Sequence, residues 1–404
     1  MQIFVNSNYD FVKWRFRALA VSLLVIAAGF VTYLVKGVPM GIDFRGGANI
    51  VLKFKEAVPL QDLRAQLPAA TIQQYGKTAD NSVLIRLPKQ AGEGDYAGVV
   101  VEKLYRSMNP ESASKHDLNY YGSDRLAAVL KQADPDVKGT NPAAIQYYDL
   151  LADRVISRRS ELGLFNSRSQ VTSVSGVSTA AAKVINERAF LGRFTLLSQE
   201  TVGPQVGKEL QQKAFWAIIL STLAMAIYIT IRFEQGLIFG VAGLACIVHD
   251  VFVALAFLVM LRLEFSLNVV AALLTIVGYS INDNVVMYDR VRENRRKAKG
   301  TGLTIGDHLN RAINDTLSRT VLTAGSVFLV LLSLLIFGGE VIRDFAWILM
   351  IGVVAGTFST LFMVPAVSVA WERWQSKKNT KVKTAPIRTE PIRTETQTRN
   401  REAS

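Results

Sequence analysis

The sequence predicts an α-helical integral membrane protein with six transmembrane helices, plus an α+β ferredoxin-like extracytoplasmic domain between helices 1 and 2. Three observations predict it. Half of the 404 residues are hydrophobic and mean hydropathy is +0.23, too apolar for an ordinary soluble protein and too polar for a bare membrane bundle. The apolar residues gather into runs of about 18 or more, long enough to span a bilayer as helices. Between the first two runs, residues 37–212 are polar and carry short alternating segments instead.

The formal charge is +13. Its dense basic clusters flank the spans or lie in the tail, which points to membrane lipids and topology and to no nucleic acid partner. Cys246 is the only cysteine, so there is no disulfide framework and no thiolate metal site. His116, His249 and His308 have no metal-ligand spacing. No Ser-His-Asp set or Walker loop is visible, so neither an enzyme nor a metal protein is expected.

In order along the chain, residues 1–17 are a polar, predicted cytoplasmic segment ending in Lys13, Arg15 and Arg17. The apolar run that follows makes 18–36 the first span. It is long for a signal peptide and lacks a small-x-small cleavage site, so it reads as uncleaved. The 37–212 domain opens with Gly41-Ile42-Asp43-Phe44-Arg45-Gly46-Gly47. Segments 48–55, 71–75, 82–87 and 193–202 read as strands, with Ile50, Leu52 and Phe54 on one face of the first. Segments 59–67, 95–108 and 179–190 read as helices. Strand-helix-strand-strand-helix-strand is the ferredoxin-like order. Residues 109–170 read as an insertion with helices at 124–132 and 142–159.

Residues 213–371 carry spans two to six: 214–231, 237–261, 265–288, 317–337 and about 345–370. Arg232-Phe233-Glu234-Gln235-Gly236 and Arg262-Leu263-Glu264 are short links. A basic linker, 289–316, contains an amphipathic surface helix at 304–317. The tail, 372–404, has the composition of a disordered segment and repeats Pro-Ile-Arg-Thr-Glu at 386–395. Six spans put the amino terminus, the linker and the tail on one side. The positive-inside rule makes that side cytoplasmic and faces the 37–212 domain outward.

Three polar groups stand out inside the spans. Asp283, flanked by Asn282 and Asn284, lies in the fourth. A carboxylate there costs roughly 2.5–3.5 kcal/mol at the centre of a bilayer and less near its edge. Asp250, next to His249, is near the middle of the third. Arg319 is two residues into the fifth. Asp283 and Arg319 can meet if their helices pack, and an Asp that loses and regains an Arg partner changes protonation. That is the minimum equipment for coupling proton entry to movement, driven by about 2.3 kcal/mol per charge per 100 mV. Plainer readings stay open. Asp283 also reads, as the lesser alternative, as an interfacial hydrogen-bonded residue, and Arg319 reads about as well as a side chain snorkelling to lipid phosphates. His249 and Asp250 read as a static pair, with Asn282 and Asn284 as further polar support. Gly352-x-x-x-Gly356 reads as a helix-packing face, and Gly46-Gly47 as a tight turn.

Several motifs together resemble SecF, a membrane subunit of the bacterial protein-export machinery. They are Tyr9-Asp10-Phe11, the 41–47 segment, Val202-Gly203-Pro204-x-Val206-Gly207, His249-Asp250, Gly278-Tyr279-Ser280-Ile281-Asn282-Asp283, Asp289-Arg290-x-Arg292-Glu293-Asn294 and Ser318-Arg319-Thr320. The resemblance covers the chain except the tail and roughly 109–170. It implies a location in the bacterial inner membrane and a partner, SecD, together with the SecYEG channel and a translocating unfolded polypeptide. It also implies likeness to RND exporters, and use of the proton-motive force in late-stage translocation. No cofactor is implied; the driving ion is the proton, with sodium open. The family's functional Asp falls on Asp283 and its Arg on Arg319, with a further acidic residue supplied by SecD. The outward domain is longer than the family's usual one. The rivals are a stand-alone RND-like proton-driven exporter, which would carry two six-span sets, and a passive scaffold.

Overall fold

A computed structural model of the chain describes residue 4 and residues 7–76, 78–88, 95–233, 236–298 and 302–383. The Glu234-Gln235 part of one link, residues 299–301 of the linker, most of 1–6, and the 384–404 tail with its repeat lie outside the described residues.

Helix α1, Phe11–Lys36, starts before residue 18 because Asp10 caps it: its Oδ1 accepts the Lys13 N–H at 2.9 Å. A single turn, α2 (Ile42–Arg45), leads into β1 (Gly47–Phe54). Then come α3 (Leu60–Gln66), β2 (Thr71–Tyr75), β3 (Ser82–Pro88) and α4 (Tyr96–Met108). Asn81, between β2 and β3, takes a left-handed φ of 50°, which its short amide side chain tolerates. The chain then leaves the sheet for β4 (His116–Asp117), α5 (Ser123–Ala133), α6 (Pro142–Leu162), α7 (Arg168–Thr172), α8 (Thr179–Arg188) and β5 (Ala189–Phe190). It returns as β6 (Phe194–Val202).

The sheet has the order β2-β3-β1-β6 with every pair antiparallel. Ile50, Leu52 and Phe54 share its buried face, packed with Leu63 of α3 and Leu104 of α4. Alternation therefore read β1 correctly. A second core is mainly helical and includes Leu130, Tyr148, Val155 and Ile185. That core corrects the position of the 179–190 helix. It packs inside the inserted unit as α8, and its last two residues form β5 in parallel with β4. The insertion therefore extends past 170 to β5, and the helix on the sheet is α4.

A buried polar weld joins the two cores. Asp117 Oδ1 accepts N–H groups of Asn119 at 2.8 Å and Gly192 at 2.7 Å. Asn119 Nδ2 donates to the Phe165 and Gly192 carbonyls, both at 3.0 Å. Burial pushes the Asp117 carboxyl up, opposed by those two N–H donors and by Arg159. Burial, with Arg125 and Arg159 nearby, pulls His116 down to about 4.

The membrane part follows: α9 (Pro204–Arg232), α10 (Gly236–Leu261), α11 (Leu267–Lys297), α12 (Ile305–Phe337), α13 (Glu340–Phe358) and α14 (Val364–Lys383). One π turn, Ser359–Met363, joins the last two. Among the described residues, six helical stretches are long and apolar enough to cross a membrane. Three boundaries differ from the sequence reading. Helix α11 runs on through Lys297 into the linker. The amphipathic 304–317 segment is continuous with the fifth span, started by a capping box between Thr304 and Asp307. Helix α14 continues to Lys383, past 371, so at least 372–383 is helical rather than part of a disordered tail.

Helices α10 and α11 and the α13–α14 stretch have 50%, 56% and 50% of their apolar windows buried, against 11% for α1 and α12. The first three make the centre and the others wrap it. Glycines set the closest approaches: a Cβ at Gly29 of α1 would strike the Ala256 backbone of α10, and one at Gly352 would strike Ile276 of α11. Gly352 and Gly356 thus form the packing face the sequence suggested.

Two expectations follow. Gly29→Leu should destabilise the detergent-solubilised protein by about 2 kcal/mol in denaturant unfolding, because an overpacked contact cannot relax against backbone. The neutral His116 ring has a folded value near 4 against an ordinary 6.5. The unfolded chain therefore binds the proton first, and stability is lost as pH falls from 6.5 towards 4. Asp117, pushed up, acts in the opposite sense. Replacing His116 by Gln should remove a pH-dependent loss on the order of 2 kcal/mol, read as hydrogen-exchange protection of α5–α8 at pH 7 and pH 4.5.

Candidate functional site

Helix α11 brings the polar groups together because its inward residues recur at helical spacing: Ser280, Asp283 and Asn284 are all buried. Facing them, α10 contributes His249 and Asp250, and the π turn contributes Ser359 and Thr360. A π turn carries one extra residue per turn and re-aims the side chains at its start, and such turns gather at functional sites.

Asp250 is 0% exposed and hydrogen-bonded through both oxygens. Oδ2 accepts from Ser280 Oγ at 2.7 Å and from Ser359 Oγ at 2.9 Å. Oδ1 lies 2.9 Å from His249 Nδ1. A neighbouring pair, Thr360 Oγ1 donating to Asn284 Oδ1 at 2.9 Å, ties the same two helices again. Gly356 lets the last span come this close, since its Cβ position is 3.4 Å from Ser280 Cβ and 3.6 Å from Asp250 Oδ2.

Asp283 differs. It is 4% exposed, and its Oδ2 is buried with no hydrogen-bond partner. Arg319, exposed on α12, forms no ion pair with it among the described residues. Helices α11 and α12 pack directly together, which places the two charges on neighbouring elements. Asn282 points out of the bundle and is exposed, so it joins neither pair. The Asn284 Nδ2 and His249 Nε2 atoms are also buried without partners.

The segment before α1 fastens α12. Tyr9 N–H donates to Asn314 Oδ1, Phe11 N–H to Asn310 Oδ1, and Asn314 Nδ2 to the Tyr9 carbonyl, each at 2.9 Å. Phe4 N–H donates to Ser318 Oγ at 3.0 Å, next to Arg319. The Tyr9-Asp10-Phe11 motif therefore serves as a strap and a cap.

Sequence reading singled out Asp283, Arg319, His249, Asp250, Asn282 and Asn284, and all but the exposed Arg319 and Asn282 are buried in this central region. It missed Ser280, Ser359 and Thr360 as ligands of the buried groups. The signal was present as a Ser-Thr pair inside the last apolar run, but hydroxyls there satisfy themselves on backbone carbonyls and draw no attention. The arrangement offers two chemistries: a satisfied carboxylate that fixes helices, and an unsatisfied one that can exchange a proton or a partner. Asp250→Ala should cost about 3–5 kcal/mol, because it strips a buried polar network of its acceptor. Asp250→Asn, which keeps one acceptor oxygen, should cost less in the same unfolding measurement.

Residues 183–374 match the family model for the C-terminal part of the SecD/SecF protein export membrane proteins, and residues 34–58 match the SecD/SecF GG motif. The chain is 36% identical over 401 residues to protein translocase subunit SecF of Koribacter versatilis, covering 96% of this chain and 97% of that one. It is 43% identical over 188 residues to protein translocase subunit SecDF of Thermus thermophilus, 46% of this chain and 25% of that one. The crystal structure of SecDF from Thermus thermophilus, titled a translocon-associated membrane protein, superimposes with a TM-score of 0.63 at 28% identity. That match covers 92% of this chain and 40% of the SecDF chain, so this chain spans about two fifths of SecDF and nearly all of its SecF relative. With family motifs at both ends of the 37–212 domain and near-complete coverage of a SecF sequence, the chain belongs to the SecF family of protein translocase subunits.

Proposed function

We propose that this chain is a SecF-type accessory subunit of the Sec translocase that uses the proton-motive force to promote late-stage translocation across the bacterial inner membrane. Asp283 is the proton-coupling residue and Arg319 its charge partner. The observation that carries this reading is the buried carboxylate of Asp283, with an oxygen that has no hydrogen-bond partner, on a helix packed against the one that bears the Arg319 guanidinium. A carboxylate held this way gains from a proton or from a closer cation, and each choice favours a different packing of α11 on α12.

Relatives named SecDF, of which this chain matches between a quarter and two fifths, support SecD as the partner that completes the membrane unit. The SecYEG channel and an emerging unfolded polypeptide are the further partners of this reading, and membrane lipids surround the outer helices. The basic amino terminus and the 289–297 cluster support a cytoplasmic placement of both termini. The 47–202 domain then faces outward. Its strand order, with α3 and α4 in the crossovers, supports the ferredoxin-like reading. The subunit needs no cofactor in this scheme, and separate proton and sodium gradients distinguish the two driving ions.

In vesicles carrying the SecD-bound protein, Asp283→Asn should abolish proton flux and late-stage export while leaving the complex assembled. Forgoing one charge movement at 100 mV is worth about 2.3 kcal/mol, roughly fiftyfold in an equilibrium. Normal flux and normal export in that variant would overturn the reading.

A further inference from the structure

The 37–46 segment does not run freely from α1 to the sheet. It lies against the loop between α10 and α11. Phe265 N–H donates to the Pro39 carbonyl at 2.8 Å, and Gly41 N–H donates to the Phe265 carbonyl at 2.9 Å. Asp43 then reaches α11 itself: its Oδ2 accepts the N–H of Leu267, the first residue of the helix, at 2.8 Å. That N–H is one of the donors an α-helix leaves unpaired at its start. Phe44 stacks on Phe265 with ring centroids 5.2 Å apart.

The other side of the segment is equally confined. Gly207 of α9 sits against the Phe44 carbonyl, where a Cβ would lie 3.0 Å from that oxygen. Gly46, at φ +74°, sits against the Val202 carbonyl and Pro204. So α2 is wedged between the starts of α9 and α11, one residue before the central strand of the sheet. A second tie runs from the sheet to the same loop. Arg86 of β3 pairs with Glu264 at 2.7 Å, and Glu264 N–H donates to Asp344 Oδ2 of α13 at 3.0 Å.

We infer that Asp43, assisted by the Arg86–Glu264 pair, fastens the outer domain to α11, so that a shift of that helix is delivered to the sheet as a movement of the whole domain. Asp43 is a positioning residue in this scheme, and the inference rests on the proposed role of Asp283. Sixteen residues separate Leu267 from Asp283, about 24 Å of continuous helix. A packed helix moves as one body over that length, so its first turn is where displacement leaves the membrane. The chain from Asp43 to β1 is too short and too closely packed to absorb the shift. β1 pairs on both edges, with β3 and β6, so it passes movement to the sheet.

The test uses the full chain with SecD in vesicles, with proton flux and late-stage export both normalised to assembled complex. Asp43→Ala should lower export per proton by about fivefold, the scale of one lost helix cap. Asp43→Asn retains an oxygen acceptor for the Leu267 N–H and should restore the ratio. Arg86→Met should lower the same ratio by about twofold, the scale of a partly exposed ion pair. A merely structural role lowers flux and export together and leaves the ratio unchanged. That result, or an equal loss with Asn and Ala, would overturn the inference. An inactive Asp283→Asn beside an Asp43→Ala of normal ratio would remove only this inference. Normal flux and export in Asp283→Asn would remove the reading beneath it.

Discussion

A carboxylate cut off from water inside a helix bundle must find its hydrogen bonds on neighbouring helices, and the centre of this protein is arranged around Asp250 for that reason. Its oxygens draw in His249 from its own helix, Ser280 from α11 and Ser359 from the last span. Each donor is also a constraint on rotation. Helix α11 cannot turn without withdrawing Ser280, and the last span cannot slide without withdrawing Ser359. The glycine at 356 and the π turn at 359–363 are the local features that let the last span meet these demands.

Asp283, one turn along α11 from Ser280, obeys the opposite logic. Its neighbour Asn284 is pinned to Thr360, but Asp283 keeps a buried oxygen without a partner. The same helix therefore presents a fixed side to the bundle centre and an unsettled group towards α12. Helix α12 is itself lightly buried and held along its first half by the strap around Tyr9. Movement is easiest where the polar groups are unsatisfied and the packing is thin, and both conditions meet between α11 and α12.

The domain between the first two spans is built for stiffness instead. Its sheet and its helical insertion have separate cores, joined by Asp117 and Asn119, whose hydrogen bonds leave little freedom at the joint. The joint with the membrane is stiff as well, because backbone packs on backbone at Gly46 and Gly207. A rigid body on a short, tightly held neck transmits displacement rather than dissipating it, which suits a subunit whose family works on translocating chains.

Much of this was legible in the residues alone. Hydrophobic run length located the six spans, since a helix must satisfy its own backbone in lipid and needs a fixed length to cross it. Alternation placed β1, and the improbability of an intramembrane carboxylate flagged Asp250 and Asp283. What the sequence left open was decided by packing. Whether a buried acid is satisfied depends on hydroxyls more than 100 residues away, as Ser359 is from Asp250. Whether the 179–190 helix lies on the sheet or in the insertion depends on which core buries Ile185, and one amphipathic pattern serves either. That Asp43 caps the helix carrying Asp283 is visible only once the chain has folded back on itself. One-dimensional pattern reports what each residue prefers to contact, and only the tertiary structure decides which partner it obtains.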